Sequence, residues 1–185
     1  RTFTAQRAIG AGFQGVLFAD VRSVEDAREC VRAVRPETPE DGGLYGAAHR
    51  RFAYPASSGS PEYVQALRDV IVMLMIEKQS AVEHLAEILA TPGVDMIQWG
   101  PVDFAMSSGR AGAARSPEVQ AVERRVIETA LRLGIPPRAE IGSVDQARYY
   151  LDLGVRHFSI GTDFSILYQW WRANGEALRR VVEGA

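Results

Sequence analysis

Two carboxylates in this sequence stand where chemistry is usually built. Glu77 follows directly on the apolar run 70–76, and Asp103 lies just past a second apolar run, 95–99, after Gly100 and Pro101. About one strand–helix unit separates them. If the two runs are neighbouring parallel strands, both side chains emerge at the C-terminal rim of one sheet, where barrel enzymes place their active sites. Two carboxylates that converge without histidine or cysteine suit a hard cation such as Mg²⁺ or Mn²⁺. Two protein ligands leave coordination positions for water and a chelating substrate. An acid at a strand end can also be simply solvated or ion-paired, and spacing alone leaves that reading open.

The elements that must hold these residues alternate regularly. Residues 15–21 read as a buried strand. Ser23 is placed to cap the next helix, with Asp26 three positions on in a capping-box arrangement. Ala27, Cys30, Val31 and Val34 then recur along one helical face, so Cys30 is expected as a small core residue rather than a reactive thiol. Residues 36–61 form the one long irregular stretch, rich in Pro, Gly and Ser. Within it His49, Arg50 and Arg51 either reach an anionic ligand or form a solvated basic loop. Strands 70–76, 95–99, 138–141 and 157–160 then alternate with helices 80–90, 117–133, 144–153 and 165–182. Pro92-Gly93, Gly134, Gly142 and Gly154 punctuate the joins.

This rhythm predicts a parallel sheet with right-handed crossovers, closed as a barrel or left as an open doubly wound sheet. No GxGxxG or GxxxxGK[ST] follows any strand, so the nucleotide-binding open sheets lose support. Five strands are legible where a (β/α)8 barrel has eight. Residues 1–185 are therefore expected to form most of a single TIM (β/α)8-barrel domain. Its first residues read as the middle of a βα unit, and three strands with their helices are expected to precede Arg1.

Composition narrows the partners. The 185 residues are 46% hydrophobic and 24% charged, enough for one sizeable core. A net charge of −2 with no block of like charge gives no reason to expect nucleic acid or an anionic membrane as partner. One cysteine excludes an intrachain disulfide framework and a Cys-rich zinc site, and it fits a reducing cytoplasm. The longest apolar run, 70–76, is too short to span a bilayer, and no secretory signal is visible.

Longer motifs surround the two acids. Ile76-Glu77-Lys78-Gln79-Ser80-Ala81 is followed by Leu85, Ile88, Leu89 and Gly93-Val94-Asp95, then by Gly100-Pro101-Val102-Asp103-Phe104-Ala105-Met106-Ser107-Ser108-Gly109. This resembles the HpcH/HpaI aldolase and citrate lyase family, with its Ile-Glu-Thr run, Gly-Val-Asp turn and Gly-Pro-Ala-Asp-Leu-Ser segment. Val24-Glu25-Asp26-Ala27, Ser116-Pro117-Glu118-Val119 and Tyr150-Leu151-Asp152-Leu153-Gly154 also fall in place, so the resemblance runs from Gln6 to about Ala177.

The resemblance implies a metal-dependent class II aldolase, a carbon–carbon lyase acting on 4-hydroxy-2-oxo acids through a pyruvate enolate. Its partners would be pyruvate or a similar 2-oxo acid and an aldehyde. Glu77 and Asp103 match the metal ligands, for Mg²⁺ or Mn²⁺ with Co²⁺ as a further candidate. Gly100, Pro101, Val102 and Asp103 match the segment that cradles the pyruvate carboxylate. Pro101 lacks an N–H, so the donors are expected from Val102 and Asp103, helped by the helix-opening turn. The metal would act as a Lewis acid.

The chain also departs from the family pattern. The family's enolate-stabilising Arg and its basic His lie upstream of the matched region, so no acid–base residue is assigned. The family's Pro-rich Arg-Gly segment becomes Arg35-Pro36-Glu37 with Gly42-Gly43. Gly46 stands where a small polar residue is expected, and Ala19 replaces a strand-end Pro. Val102 and Phe104 are bulkier than Ala and Leu and narrow the expected pocket.

Other residues are expected to be structural. His84 and His157 read as structural or exposed, Asp163 as the cap of the last helix rather than part of the site, and Glu140 as a further rim carboxylate. Phe164, Leu167, Tyr168, Trp170 and Trp171 make the last helix apolar around much of its circumference. Such a helix calls for burial, and in this family the C-terminal helices pack on a neighbouring subunit, so a homo-oligomer, trimer or hexamer, is expected. Two further readings remain: a CoA-ester lyase of the citrate or malyl type, for which no dedicated basic cluster is visible, and a non-catalytic oxo-acid- or metal-binding barrel.

Overall fold

Short β-rich runs bounded by turn residues become strands, and the amphipathic segments between them become the helices that cover one side of the sheet. The computed structural model describes residues 2–47 and 58–184, so His49, Arg50 and Arg51 lie outside the described residues. Helix α1 (Thr2–Gly10) leads into β1 (Gly15–Phe18) and α2 (Val24–Val34). Helix α3 (Pro61–Arg68) precedes β2 (Ile71–Ile76), after which come α4 (Gln79–Glu83) and α5 (Leu85–Leu89). Strand β3 (Met96–Trp99) runs into α6 (Pro101–Ser107) and the long α7 (Pro117–Arg132). Strand β4 (Pro137–Ile141), a 3-10 turn and α8 (Ala147–Asp152), then β5 (His157–Ile160) and α9 (Asp163–Glu183) complete the chain.

The five strands pair in chain order and all in parallel. With every crossover stepping in the same sense, the helices fall on one face and the sheet curls toward the other. The result is a parallel, curled half-barrel rather than a closed eight-stranded barrel. All C-terminal strand ends share one rim, so Phe18, Ile76, Trp99 and Ile141 each hand the chain to that edge.

Packing is densest under β1 to β3. The inward face of α2 (Ala27, Cys30, Ala33, Val34) meets Val72, Leu74 and Ile76 of β2, Ile88 of α5 and Ile97 of β3 in one buried cluster. Each large aliphatic side chain buried there contributes about 1.5–3 kcal/mol. Cys30 is buried in this cluster as a small apolar residue, as expected. Arg35 binds the opposite end of the sheet from the rim, donating to the carbonyls of Val70 (2.6 Å) and Gly93 (3.1 Å) and pairing with Asp95 at 3.2 Å. A smaller cluster of Ile127, Ala139, Ile141 and Val155 supports β4. Helix α9 contributes no buried residue to either.

Several elements differ from expectation for identifiable reasons. The first strand stops at Phe18, because Asp20 turns the chain with a left-handed φ of 61°. Ser23 does accept the Asp26 amide (3.2 Å), but the Asp26 carboxylate reaches back to the amide of Arg22 (2.8 Å) instead of the cap's own. A helix not expected from the sequence, α3, fills the interval between the irregular stretch and β2. Ser60 caps α3 through the Tyr63 amide, with Pro61 in the first turn. The helix expected over 80–90 breaks at His84, which sits at φ −107°, ψ 23°. Helix α6 opens at Pro101, in keeping with the helix-opening turn expected there. Within the described part of the loop, Asp41 accepts from Arg68 Nε at 2.9 Å, a hydrogen bond that holds its carboxyl below the usual carboxylate range.

Candidate functional site

Glu77 is the first residue after β2 and is 4% exposed. Its Oε1 accepts the backbone amide of Asp20 at 2.7 Å, so the turn after β1 orients the acid that ends β2. Asp is among the few side chains that tolerate the left-handed backbone this turn needs. On the other side the chain presses close. The Gly100 amide donates to the Ile76 carbonyl (3.0 Å), and a Cβ at position 100 would fall 2.7 Å from Glu77 Cβ and 2.9 Å from Glu77 Oε2. Only glycine allows β3 to pass so near the carboxylate.

Asp103 arrives differently. Pro101 occupies the first turn of α6, where its fixed φ suits a helix start, and the Phe104 amide closes the turn on the Gly100 carbonyl at 3.1 Å. The Asp103 side chain is 51% exposed and its Oδ1 accepts from Lys78 Nζ at 3.0 Å. The same ammonium pairs with Asp20 Oδ1 at 2.8 Å. The hydrogen bond to Asp20 is the largest influence holding the Lys78 ammonium above the ordinary lysine pKa; burial opposes it and Asp103 reinforces it. As second and third residues of α6, Val102 and Asp103 have amides without an intrahelical acceptor.

These groups share one cleft. Glu77, Gly100, Pro101, Val102 and Asp103 line a cavity of about 260 Å³ that also takes in Gln98, Arg138 and Glu140. Pairing between β3 and β4 is confined to Ile97 with Pro137 and Gln98 with Arg138, and the cleft opens beyond it. Arg138 Nε donates to Gln98 Oε1 (2.7 Å), and Gln98 Nε2 donates to Glu140 Oε2 (3.2 Å). At the outer wall Tyr150 donates to Glu123 (2.8 Å), whose carboxyl is raised by burial, with that hydrogen bond opposing.

The five residues singled out in the sequence therefore meet in one place, and Glu140 joins them through Gln98. Lys78, Asp20, Gln98 and Arg138 went unnoticed. Gln98 carried a signal, as a polar side chain within an apolar strand, and Lys78 stood beside a candidate ligand. Asp20 gave none, because a turn residue that works through its backbone amide has no side-chain signature. His84 and His157 are exposed and outside the cleft. The cap of α9 is Thr162, in a reciprocal box with Ser165, and not Asp163, whose Oδ1 accepts the Phe164 amide at 2.7 Å.

A parallel α/β sheet whose C-terminal rim holds a cleft with several carboxylates places the molecule among the α/β proteins that build their sites at that edge. Comparison with known proteins makes this specific. The HpcH/HpaI aldolase/citrate lyase family pattern matches residues 1–168, and the chain belongs to that family. It is 33% identical over 179 residues to a hydroxypyruvate/pyruvate aldolase of Delftia acidovorans, covering 94% of this chain and 64% of the relative. Against a 4-hydroxy-2-oxo-heptane-1,7-dioate aldolase of Shigella sonnei it is 31% identical, covering 88% of this chain and 61% of the relative. A crystal structure of a family member from Burkholderia cenocepacia superposes with a TM-score of 0.77 at 32% identity, over 98% of this chain and 70% of that one. The chain thus spans less than two thirds of the length of the curated relatives it matches. No helix among the described residues is long and apolar enough to cross a membrane.

Proposed function

We propose that this chain carries the metal- and pyruvate-binding part of a class II aldolase, a lyase that cleaves 4-hydroxy-2-oxo acids to pyruvate and an aldehyde. The observation that carries the reading is the meeting of Glu77 and Asp103 in one cleft at the strand rim, with Gly100 pressed against Glu77. The residues present fit a divalent ion. Their donors are carboxylate oxygens, the choice of Mg²⁺ or Mn²⁺. The protein would supply two ligands and leave the remainder to water and substrate. The Delftia hydroxypyruvate/pyruvate aldolase and the Shigella 4-hydroxy-2-oxo-heptane-1,7-dioate aldolase support a 2-oxo acid as substrate.

A divalent ion held by Glu77 and Asp103 would supply Lewis acidity to the oxygens of a 2-oxo acid. The chain's own residues would position the ion and the substrate. Glu77, fixed by the Asp20 amide, sets the position of the ion. Val102 and Asp103 offer first-turn amides to the substrate carboxylate, and Gly100 and Pro101 shape the approach. Val102, exposed at the cleft mouth, limits the width of the bound acid. The complete (β/α)8 barrel belongs to the same proposal, with the five described strands as its larger part. The test is pyruvate release from a 4-hydroxy-2-oxo acid, followed through coupled NADH oxidation by lactate dehydrogenase. Turnover should require added Mg²⁺ or Mn²⁺ and vanish in Glu77→Ala and Asp103→Ala; unchanged turnover in both variants would refute the reading.

We also propose self-association through α9. Phe164, Leu167, Trp170, Trp171, Leu178 and Val181 are all exposed on this helix, a larger apolar surface than a monomer ordinarily leaves in water. Light scattering should give a trimer or hexamer; a monomer at micromolar concentration would contradict this.

A further inference from the structure

Lys78 places a cation against the proposed metal pair. Its ammonium lies 3.0 Å from Asp103 Oδ1 and 2.8 Å from Asp20 Oδ1, on a side chain only 13% exposed. Glu77, the neighbouring residue in the chain, is held by the Asp20 amide. Three carboxylates and one ammonium are thereby gathered at the ends of β1, β2 and β3. We infer that Lys78 is a tethered competitor of the divalent ion, occupying the Asp103 carboxylate in the metal-free protein and retreating to Asp20 when the metal binds. This rests on reading Glu77 and Asp103 as the metal-binding pair.

A dication coordinated by Asp103 at about 2.1 Å and an ammonium hydrogen-bonded to the same carboxylate would be only a few ångströms apart. Their repulsion at that distance is large in any partly buried setting. The ammonium stays within reach of the site, because Lys78 follows Glu77 directly in the chain. Asp20 gives it a second carboxylate already in contact, so the exchange costs one ion pair and not two. Metal affinity is then set by the balance between Asp103 and Asp20 as hosts for one lysine. Neither carboxylate is deeply buried, which keeps the competition modest.

The experiment is Mn²⁺ binding to the purified protein, read by electron paramagnetic resonance of the free ion, with metal-free thermal unfolding measured alongside. Lys78→Met removes the charge and keeps the length; Lys78→Gln keeps a hydrogen-bonding side chain should the methionine variant fold poorly. Both should bind Mn²⁺ at least about threefold more tightly than the parent while unfolding at a lower temperature without metal. A purely structural lysine would lose stability and Mn²⁺ affinity together. Affinity within about threefold of the parent, or weaker, in the folded variants overturns the inference. Glu77→Gln and Asp103→Asn separate the two levels of failure: if both bind Mn²⁺ as the parent does, the metal pair itself is wrong and the competition falls with it.

Discussion

The ends of β2 and β3 present their acids to the cleft in different ways. Glu77 is almost wholly buried, has one oxygen fixed by the Asp20 amide and the other crowded by Gly100, and cannot move without disturbing β1 or β3. Asp103 rides on the first turn of a seven-residue helix, is half exposed, and shares an ammonium with Asp20. One acid is built into the sheet and the other is mounted on its edge. Under the proposed function this implies a division of labour: Glu77 would fix where a cation sits, and Asp103 would decide whether it stays. It also separates structural from functional effects, because only the first acid is tied into the fold.

The largest expected effect treats the two acids alike. Glu77→Gln and Asp103→Asn should each lower turnover by about 10²–10³-fold or more, measured with saturating Mn²⁺. Chelation of the parent with EDTA should do the same, and added Mn²⁺ should restore activity. A variant at either position with near-parental turnover would break the pairing.

Next in size is Gly100→Ala, which keeps both carboxylates. Its Cβ must displace Glu77, so we expect about 1–3 kcal/mol lost in denaturant unfolding and weaker Mn²⁺ binding. Parental values for both would show that the close approach is unimportant.

The smaller effects sharpen the contrast through metal-free stability. Glu77→Ala leaves the part-buried Asp20 amide without its acceptor and should cost about 1–3 kcal/mol. Asp103→Asn breaks a half-exposed ion pair and should cost under about 1 kcal/mol. Equal losses in urea titrations would erase the distinction between a built-in and an edge-mounted ligand.

Much of this was legible in the sequence because the signals were local. Runs such as 70–76 can only be buried strands in a chain of this period, and an acid directly after one must emerge at the rim. Ser60-Pro61 and Gly100-Pro101 also announce helices, yet α3 and α6 are only eight and seven residues long and carry too little periodicity to stand out. The exit from β1 was harder. Val21 is apolar and buried, so the run 15–21 looks continuous, and only the backbone at Asp20 reveals the turn. The Lys78 bridge was illegible for another reason: it joins the ends of three strands, and no spacing in one chain encodes which carboxylate an ammonium will choose.

If Glu77 and Asp103 grip a single divalent ion with room left for a 2-oxo acid, crystals soaked with Mn²⁺ and pyruvate should show it by anomalous diffraction. One Mn²⁺ peak should lie about 2.0–2.2 Å from a carboxylate oxygen of each residue, with pyruvate chelating its open side. A peak on only one of the two acids, or at a different site, would contradict it.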